Sequence, residues 1–120
     1  MNTVLIVDDH TDIRRLLSIT LSKDFTTIEA EDGESALEAI RHHRPDAVLL
    51  DVMLPGEMDG MQILDAIKAD PAIRHTLVAM VTARGQVTDH DDARKRGADA
   101  YFIKPFSPLQ VLGWLRSSLK

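Results

Sequence analysis

Ala47-Val48-Leu49-Leu50-Asp51 decides the reading of this chain, because four apolar residues run without a break into one carboxylate. A short apolar run without alternation marks a strand buried on both faces. Val4-Leu5-Ile6-Val7 reads the same way and runs into Asp8-Asp9, and Leu77-Val78-Ala79-Met80-Val81 runs into Thr82. Two weaker strands are expected, over residues 26–30 and over residues 100–103, the second ending at Lys104-Pro105. Helical patterns lie between them. Thr11 is expected to cap a helix carrying Ile13, Leu16, Leu17 and Leu21. Residues 33–43 turn Ala36, Leu37 and Ile40 inward, and Pro45 breaks that pattern. A loop with Pro55, Gly56 and Gly60 leads into a helix with Ile63, Leu64 and Ile67 that stops at Pro71. A mostly charged helix is expected from about 87 to 96 with Gly97 as its stop, and Ser107 caps a last helix to 119. Strand and helix alternate five times, which argues for a parallel sheet covered on both faces.

The rest of the composition narrows the function. At 120 residues, 44% of them hydrophobic, the chain suits one domain over 1–120 with a real core. The absence of cysteine removes disulfides, thiol nucleophiles and thiolate metal sites, and fits a cytoplasmic protein. A net charge of −5 disfavours direct nucleic-acid binding. No apolar run approaches the ~20 residues that span a bilayer, so no membrane role is expected. The histidines His10, His42, His43, His75 and His90 read as surface residues at helix ends and loops, without metal-ligand spacing.

The chemistry lies at the strand ends. Asp8 and Asp9, Asp51, Thr82 and Lys104 each come just after an apolar strand, and in an open parallel sheet the carboxyl ends share one ligand-binding edge. Taken singly they are bland: Asp8 and Asp9 could cap a helix, Asp51 and Thr82 could be turn residues, and Lys104 could be a solvated lysine. Together they form a pattern that is hard to obtain by accident. Three close carboxylates repel unless a cation neutralises them. Oxygen ligands with few carboxylates suit Mg²⁺, with Mn²⁺ as a substitute. Three aspartates carry −3, and Mg²⁺ with Lys104 carries +3, so the pocket would be near neutral and ready for a phosphoryl group. A carboxylate can itself be the nucleophile and form an aspartyl-phosphate, a reaction that depends on positioning and charge stabilisation.

The motifs that carry a family resemblance are Val7-Asp8-Asp9, Leu49-Leu50-Asp51-Val52-Met53-Leu54-Pro55-Gly56, Val81-Thr82-Ala83-Arg84-Gly85 and Gly97-Ala98-Asp99-Ala100-Tyr101-Phe102-Ile103-Lys104-Pro105-Phe106. On these the chain resembles a receiver domain of the two-component response regulators, over essentially its whole length. The resemblance implies a flavodoxin-like sheet of order 2-1-3-4-5 with five helices, in three α/β/α layers. It implies that Asp51 accepts phosphate from a sensor histidine kinase or a phosphotransfer protein. Asp9 and Asp51 would ligate Mg²⁺ directly, Asp8 largely through water, and the Met53 backbone carbonyl would complete the protein ligands. Thr82 and Lys104 would grip the phosphoryl oxygens, Tyr101 would change rotamer, and the Lys104-Pro105 peptide would be cis. The surface of helix 4, strand 5 and helix 5 would then address a downstream protein partner. Such a domain modifies itself and is not a turnover enzyme.

Several residues stand out against that pattern. Glu57-Met58-Asp59-Gly60 makes the loop after Pro55-Gly56 one residue longer than is usual in the family. Met53 and Arg84 are expected to flank the path of attacking water and slow phosphate loss. Trp114 points roughly 140° from the centre of Leu112, Leu115 and Leu119, so it is expected to be exposed and to meet a partner. Ala100 and a final helix with few basic residues argue against a DNA-bound homodimer. Other functions fit less well. A flavin carrier on this fold needs a hydroxyl- and glycine-rich first loop, where Asp8-Asp9-His10 stands. An aspartate phosphatase needs an acid two residues past the nucleophile, where Met53 stands. A phosphorylation-independent interaction module is the remaining alternative.

Overall fold

The computed structural model describes residues 1–83 and 89–119. Ten elements alternate as the apolar pattern requires: β1 (Thr3–Val7), α1 (Thr11–Leu21), β2 (Thr26–Ala30), α2 (Gly33–His43), β3 (Ala47–Asp51), α3 (Gly60–Ala69), β4 (Leu77–Ala83), α4 (Asp89–Lys95), β5 (Ala100–Lys104) and α5 (Pro108–Ser118). The strands form one parallel sheet in the order β2-β1-β3-β4-β5. Successive side chains of a strand point to opposite faces, so each all-apolar strand feeds two cores. Leu5, Val48, Leu50 and Met80 face α2, α3 and α4, where they meet Ile40, Ile63, Leu64, Ile67 and Ala93. Val4, Ile6, Leu49 and Ala79 face α1 and α5, where they meet Leu17, Leu21, Val111, Leu112 and Leu115. The result is a doubly wound, flavodoxin-like α/β/α sandwich. Because all five strands are parallel, their carboxyl ends open on one edge of the sheet.

The helix ends obey local chemistry. Asp32 and Ser35 form a capping box on α2, and Asp59 and Gln62 form one on α3. Ser107 caps α5 through the Leu109 N–H, with Pro108 in the first turn. Gly97, at φ 107°, closes α4: its N–H bonds the Arg94 carbonyl and the Ala98 N–H bonds the Ala93 carbonyl.

Some expectations change. The N-cap of α1 is His10, and Thr11 is already helical. The Asp8 carboxylate accepts the His10 N–H at 2.8 Å and holds that residue extended, so the helix starts one residue before the hydroxyl's expected place. Leu16 does not face the core and is exposed, because Leu17 and Leu21 alone supply the buried stripe of α1. The described part of α4 is Asp89–Lys95, whereas residues 87 and 88 of the expected helix lie outside the described residues.

Trp114 is half-buried rather than exposed. Its ring meets Phe102 of β5 edge-on, with 6.2 Å between centroids, and Phe106 lies 6.4 Å from Phe102 on the same side. Val111 joins Leu112 and Leu115 in the core, which rotates the buried stripe of α5 toward Trp114. The helical pattern alone could not reveal the aromatic pair on the neighbouring strand.

Candidate functional site

β1 delivers Asp8 to the sheet edge as a nearly inaccessible carboxylate, and β3 delivers Asp51 beside it in the same state. β4 brings in Thr82, next to its last residue and fully buried, and Val81 pairs with Asp51 in the adjoining register. β5 brings in Lys104 from the far edge. Its ammonium donates to Asp8 Oδ2 at 2.9 Å and to Asp51 Oδ2 at 3.3 Å, so one cation joins carboxylates from two strands. The Lys104-Pro105 peptide next to it is cis.

The backbone around Asp51 is held closely. Asp51 Oδ1 accepts the Met53 N–H at 3.1 Å, and the Gly60 N–H bonds the Val52 carbonyl at 2.9 Å. A Cβ on Gly60 would stand 2.1 Å from the Asp51 carbonyl oxygen, so only glycine lets α3 begin this close to β3. The longer loop is anchored rather than loose: Met58 is half-buried against the α2–α3 core, and a Cβ on Gly33 would meet its Cβ at 2.9 Å.

The charges explain the titration. Burial and then the neighbouring Asp8 push the Asp51 carboxyl above the ordinary carboxylate range, against the opposing pull of Lys104 and the Met53 N–H. Burial alone would lower the Lys104 ammonium, but its bonds and attraction to Asp8 and Asp51 outweigh this and hold it above its usual value. Two buried carboxylates thus share one cation, and a further positive charge fits the donor set. Asp8, Asp9, His10 and Asp51 each present a ligand atom, all within 4.8 Å of one another. Three carboxylates with few other donors suit a hard divalent ion such as Mg²⁺.

Of the residues expected at the site, Asp8, Asp9, Asp51 and Lys104 converge, with Thr82 on the adjoining strand. Met53 contributes its N–H to Asp51 and leaves its side chain largely exposed. Tyr101 lies farther off. It pairs with Met80, packs on the α4 side of the sheet and lines a cleft of about 240 Å³ with Ala93, Arg94, Ala98, Asp99 and Ala100. Arg84, expected with Met53 along the water path, lies outside the described residues.

Two contributors escaped the sequence reading. His10 is not a detached surface histidine: Nδ1 lies 3.0 Å from Asp8 Oδ1 and 3.2 Å from Asp9 Oδ1. Its adjacency to the two aspartates was the available signal. Arg14 reaches back one turn of α1 to donate to the Asp8 carbonyl at 2.6 Å and to Glu29 at 3.2 Å, tying the end of β1 to β2. No spacing rule marks it.

Buried carboxylates bridged by a lysine at the carboxyl edge of this sheet define an acidic pocket on a flavodoxin-like fold. Residues 4–116 match the response regulator receiver domain family, and the chain belongs to that family. Transcriptional regulatory protein SrrA of Staphylococcus aureus is 38% identical over 120 residues, which is 99% of this chain and 48% of SrrA. The chain therefore spans about half the length of the curated relatives it matches. The receiver domain of NtrX from Brucella abortus superposes with a TM-score of 0.88 at 35% identity, covering 97% of each chain. The chemotaxis protein CheY4 of Vibrio cholerae superposes with a TM-score of 0.88 at 30% identity, covering 98% of each. The chain is accordingly a two-component receiver domain, a class that does not turn over a substrate. Among the described residues, no helix is long and apolar enough to cross a membrane.

Proposed function

We propose that residues 1–120 act as one switch unit that accepts a phosphoryl group on Asp51. The observation that carries this reading is the Lys104 ammonium joining Asp8 and Asp51 at the sheet edge. An Asp51 carboxylate oxygen attacks phosphorus, the P–N bond to a donor phosphohistidine breaks, and an acyl phosphate forms as the imidazole leaves. The Met53 N–H orients the Asp51 carboxylate, and Lys104 stands ready to take the charge of a phosphoryl oxygen. Asp8, Asp9, Asp51 and the Met53 carbonyl would hold Mg²⁺, or Mn²⁺ in its place; when bound, the ion supplies positive charge to the phosphoryl oxygens. Thr82 contacts the phosphoryl group in this scheme and Tyr101 responds to it. The burial of Thr82 and the cleft beside half-buried Tyr101 support that coupling. The α4–β5–α5 surface then meets a downstream protein.

The donor is a sensor histidine kinase or a phosphotransfer protein in the cytoplasm. The domain itself works through protein contacts and not through nucleic acid, in keeping with its net charge of −5. Incubation with acetyl phosphate, with and without Mg²⁺, and then intact-mass measurement tests the reading. One added phosphoryl group, dependent on Mg²⁺ and absent in Asp51→Asn, is the expected result. An unmodified protein that also ignores a phosphohistidine donor would overturn the acceptor role and favour a phosphorylation-independent interaction module.

A further inference from the structure

His10 belongs to the acidic group at the sheet edge. Its ring folds back over the two carboxylates that precede it, with Nδ1 3.0 Å from Asp8 Oδ1 and 3.2 Å from Asp9 Oδ1. In an octahedral ion with bonds of about 2.1 Å, adjacent ligand atoms lie about 3.0 Å apart. The 3.2 Å between His10 Nδ1 and Asp9 Oδ1 is close to that spacing, and the Asp51 carboxylate belongs to the same group within 4.8 Å. The placement is local and stiff. His10 caps α1 in an extended conformation, and its own N–H is fixed to Asp8 Oδ1 at 2.8 Å. No burial forces the ring into this position, since its side chain is 63% exposed. The carboxylates hold it.

An imidazole changes what the pocket prefers. Mg²⁺ takes oxygen ligands and keeps its waters, whereas imidazole nitrogen suits zinc, nickel, copper and iron. Replacing one water with a neutral nitrogen leaves the charge of the site unchanged, so the effect falls on ion choice rather than on overall attraction. We infer that His10 Nδ1 is a ligand in the acidic pocket of this chain and tilts it from Mg²⁺ toward a first-row transition ion. The inference rests on the metal-binding reading of Asp8, Asp9 and Asp51.

Calorimetric titration of the full chain with Zn²⁺ and separately with Mg²⁺ tests it, in the wild type, His10→Ala and Asp9→Asn. The ¹⁵N resonance of His10 Nδ1 is monitored in parallel, because His42 and His43, with ring centroids 4.7 Å apart, could take Zn²⁺ on their own. The expected result is a loss of about tenfold or more in Zn²⁺ affinity in His10→Ala, the scale on which metal sites respond to lost support, with Mg²⁺ affinity changed less than about twofold and Nδ1 shifted by Zn²⁺ alone. Equal changes for both ions, or an Nδ1 resonance that Zn²⁺ leaves in place, would show that His10 only hydrogen-bonds the carboxylates and would overturn the inference. If Asp9→Asn binds both ions as the wild type does, the acidic-pocket reading fails first and takes the inference with it. If Asp9→Asn loses both ions while His10→Ala loses neither, only the inference falls.

Discussion

Asp51 illustrates how a single buried charge is held ready at a cost in stability. Burial and Asp8 raise its carboxyl above the ordinary range, so the folded chain binds its proton more tightly than the unfolded chain does. The contribution of Asp51 to metal-free stability is therefore greatest below the ordinary carboxylate range. It declines as pH rises from that range through the raised value, where the folded state must ionise a group the unfolded state has already ionised. Asp51→Asn removes this penalty and should stabilise the metal-free protein at neutral pH by on the order of 1 kcal/mol, or about 4 °C in Tm. The gain should vanish in acid, where wild-type Asp51 is protonated. Thermal melts of both proteins across pH in a chelating buffer check this, and a destabilised Asp51→Asn at neutral pH would contradict it. Lys104 has the same sign of pH dependence at a higher pH. Its ammonium is held above its usual value by the same carboxylates, so its stabilising contribution is complete at neutral pH and fades only as pH climbs through that raised value.

At the scale of elements, the site depends on where α3 begins. Gly60 lets the helix start against the Asp51 carbonyl, and any Cβ there would lie 2.1 Å from that oxygen. Gly60→Ala must therefore move either β3 or α3, and should destabilise the chain by about 2 kcal/mol, within the range for overpacking. If Asp51 accepts phosphate as proposed, the same change should slow that step. Gly113 in α5 gives the matched control, because a Cβ there meets nothing within 4 Å. Gly113→Ala should stabilise by up to about 1 kcal/mol through helix propensity alone. Urea denaturation of the two variants separates the effects: opposite signs are expected, and a Gly60→Ala protein as stable as the wild type would sink the close-approach argument. The Met58 anchor belongs to the same scale. It seats the longer loop on the α2–α3 core, so the extra residue is accommodated by packing beside the site.

Across the whole molecule, the sheet links the acidic edge to the α4–β5–α5 surface through β5, which carries Lys104 at one end and Tyr101 and Phe102 along its length. Phe102 contacts Trp114, the chain's one tryptophan, so indole emission reports the β5–α5 junction without a label. Phe102→Leu removes the edge-on ring and should shift Trp114 emission to longer wavelength as water reaches the indole. An unchanged spectrum would mean that the α5 packing, and not Phe102, shields Trp114.

The apolar runs of β1, β3 and β4 and the polar residue after each were legible from the sequence, because burial on both faces leaves no alternation and a shared carboxyl edge gathers the residues just past the strands. Asp8, Asp9, Asp51, Thr82 and Lys104 were readable for that reason, and the family was readable from the motifs around them. Only the tertiary structure decided everything set by contacts between elements. Trp114 is covered because Phe102 arrives from a neighbouring strand, Gly60 is required because α3 starts against Asp51, and Arg14 ties β1 to β2 from a helix. His10 joins the acidic group because its side chain turns back over its own neighbours. Periodicity reports which face of an element is apolar, but it carries no record of what another element brings to that face.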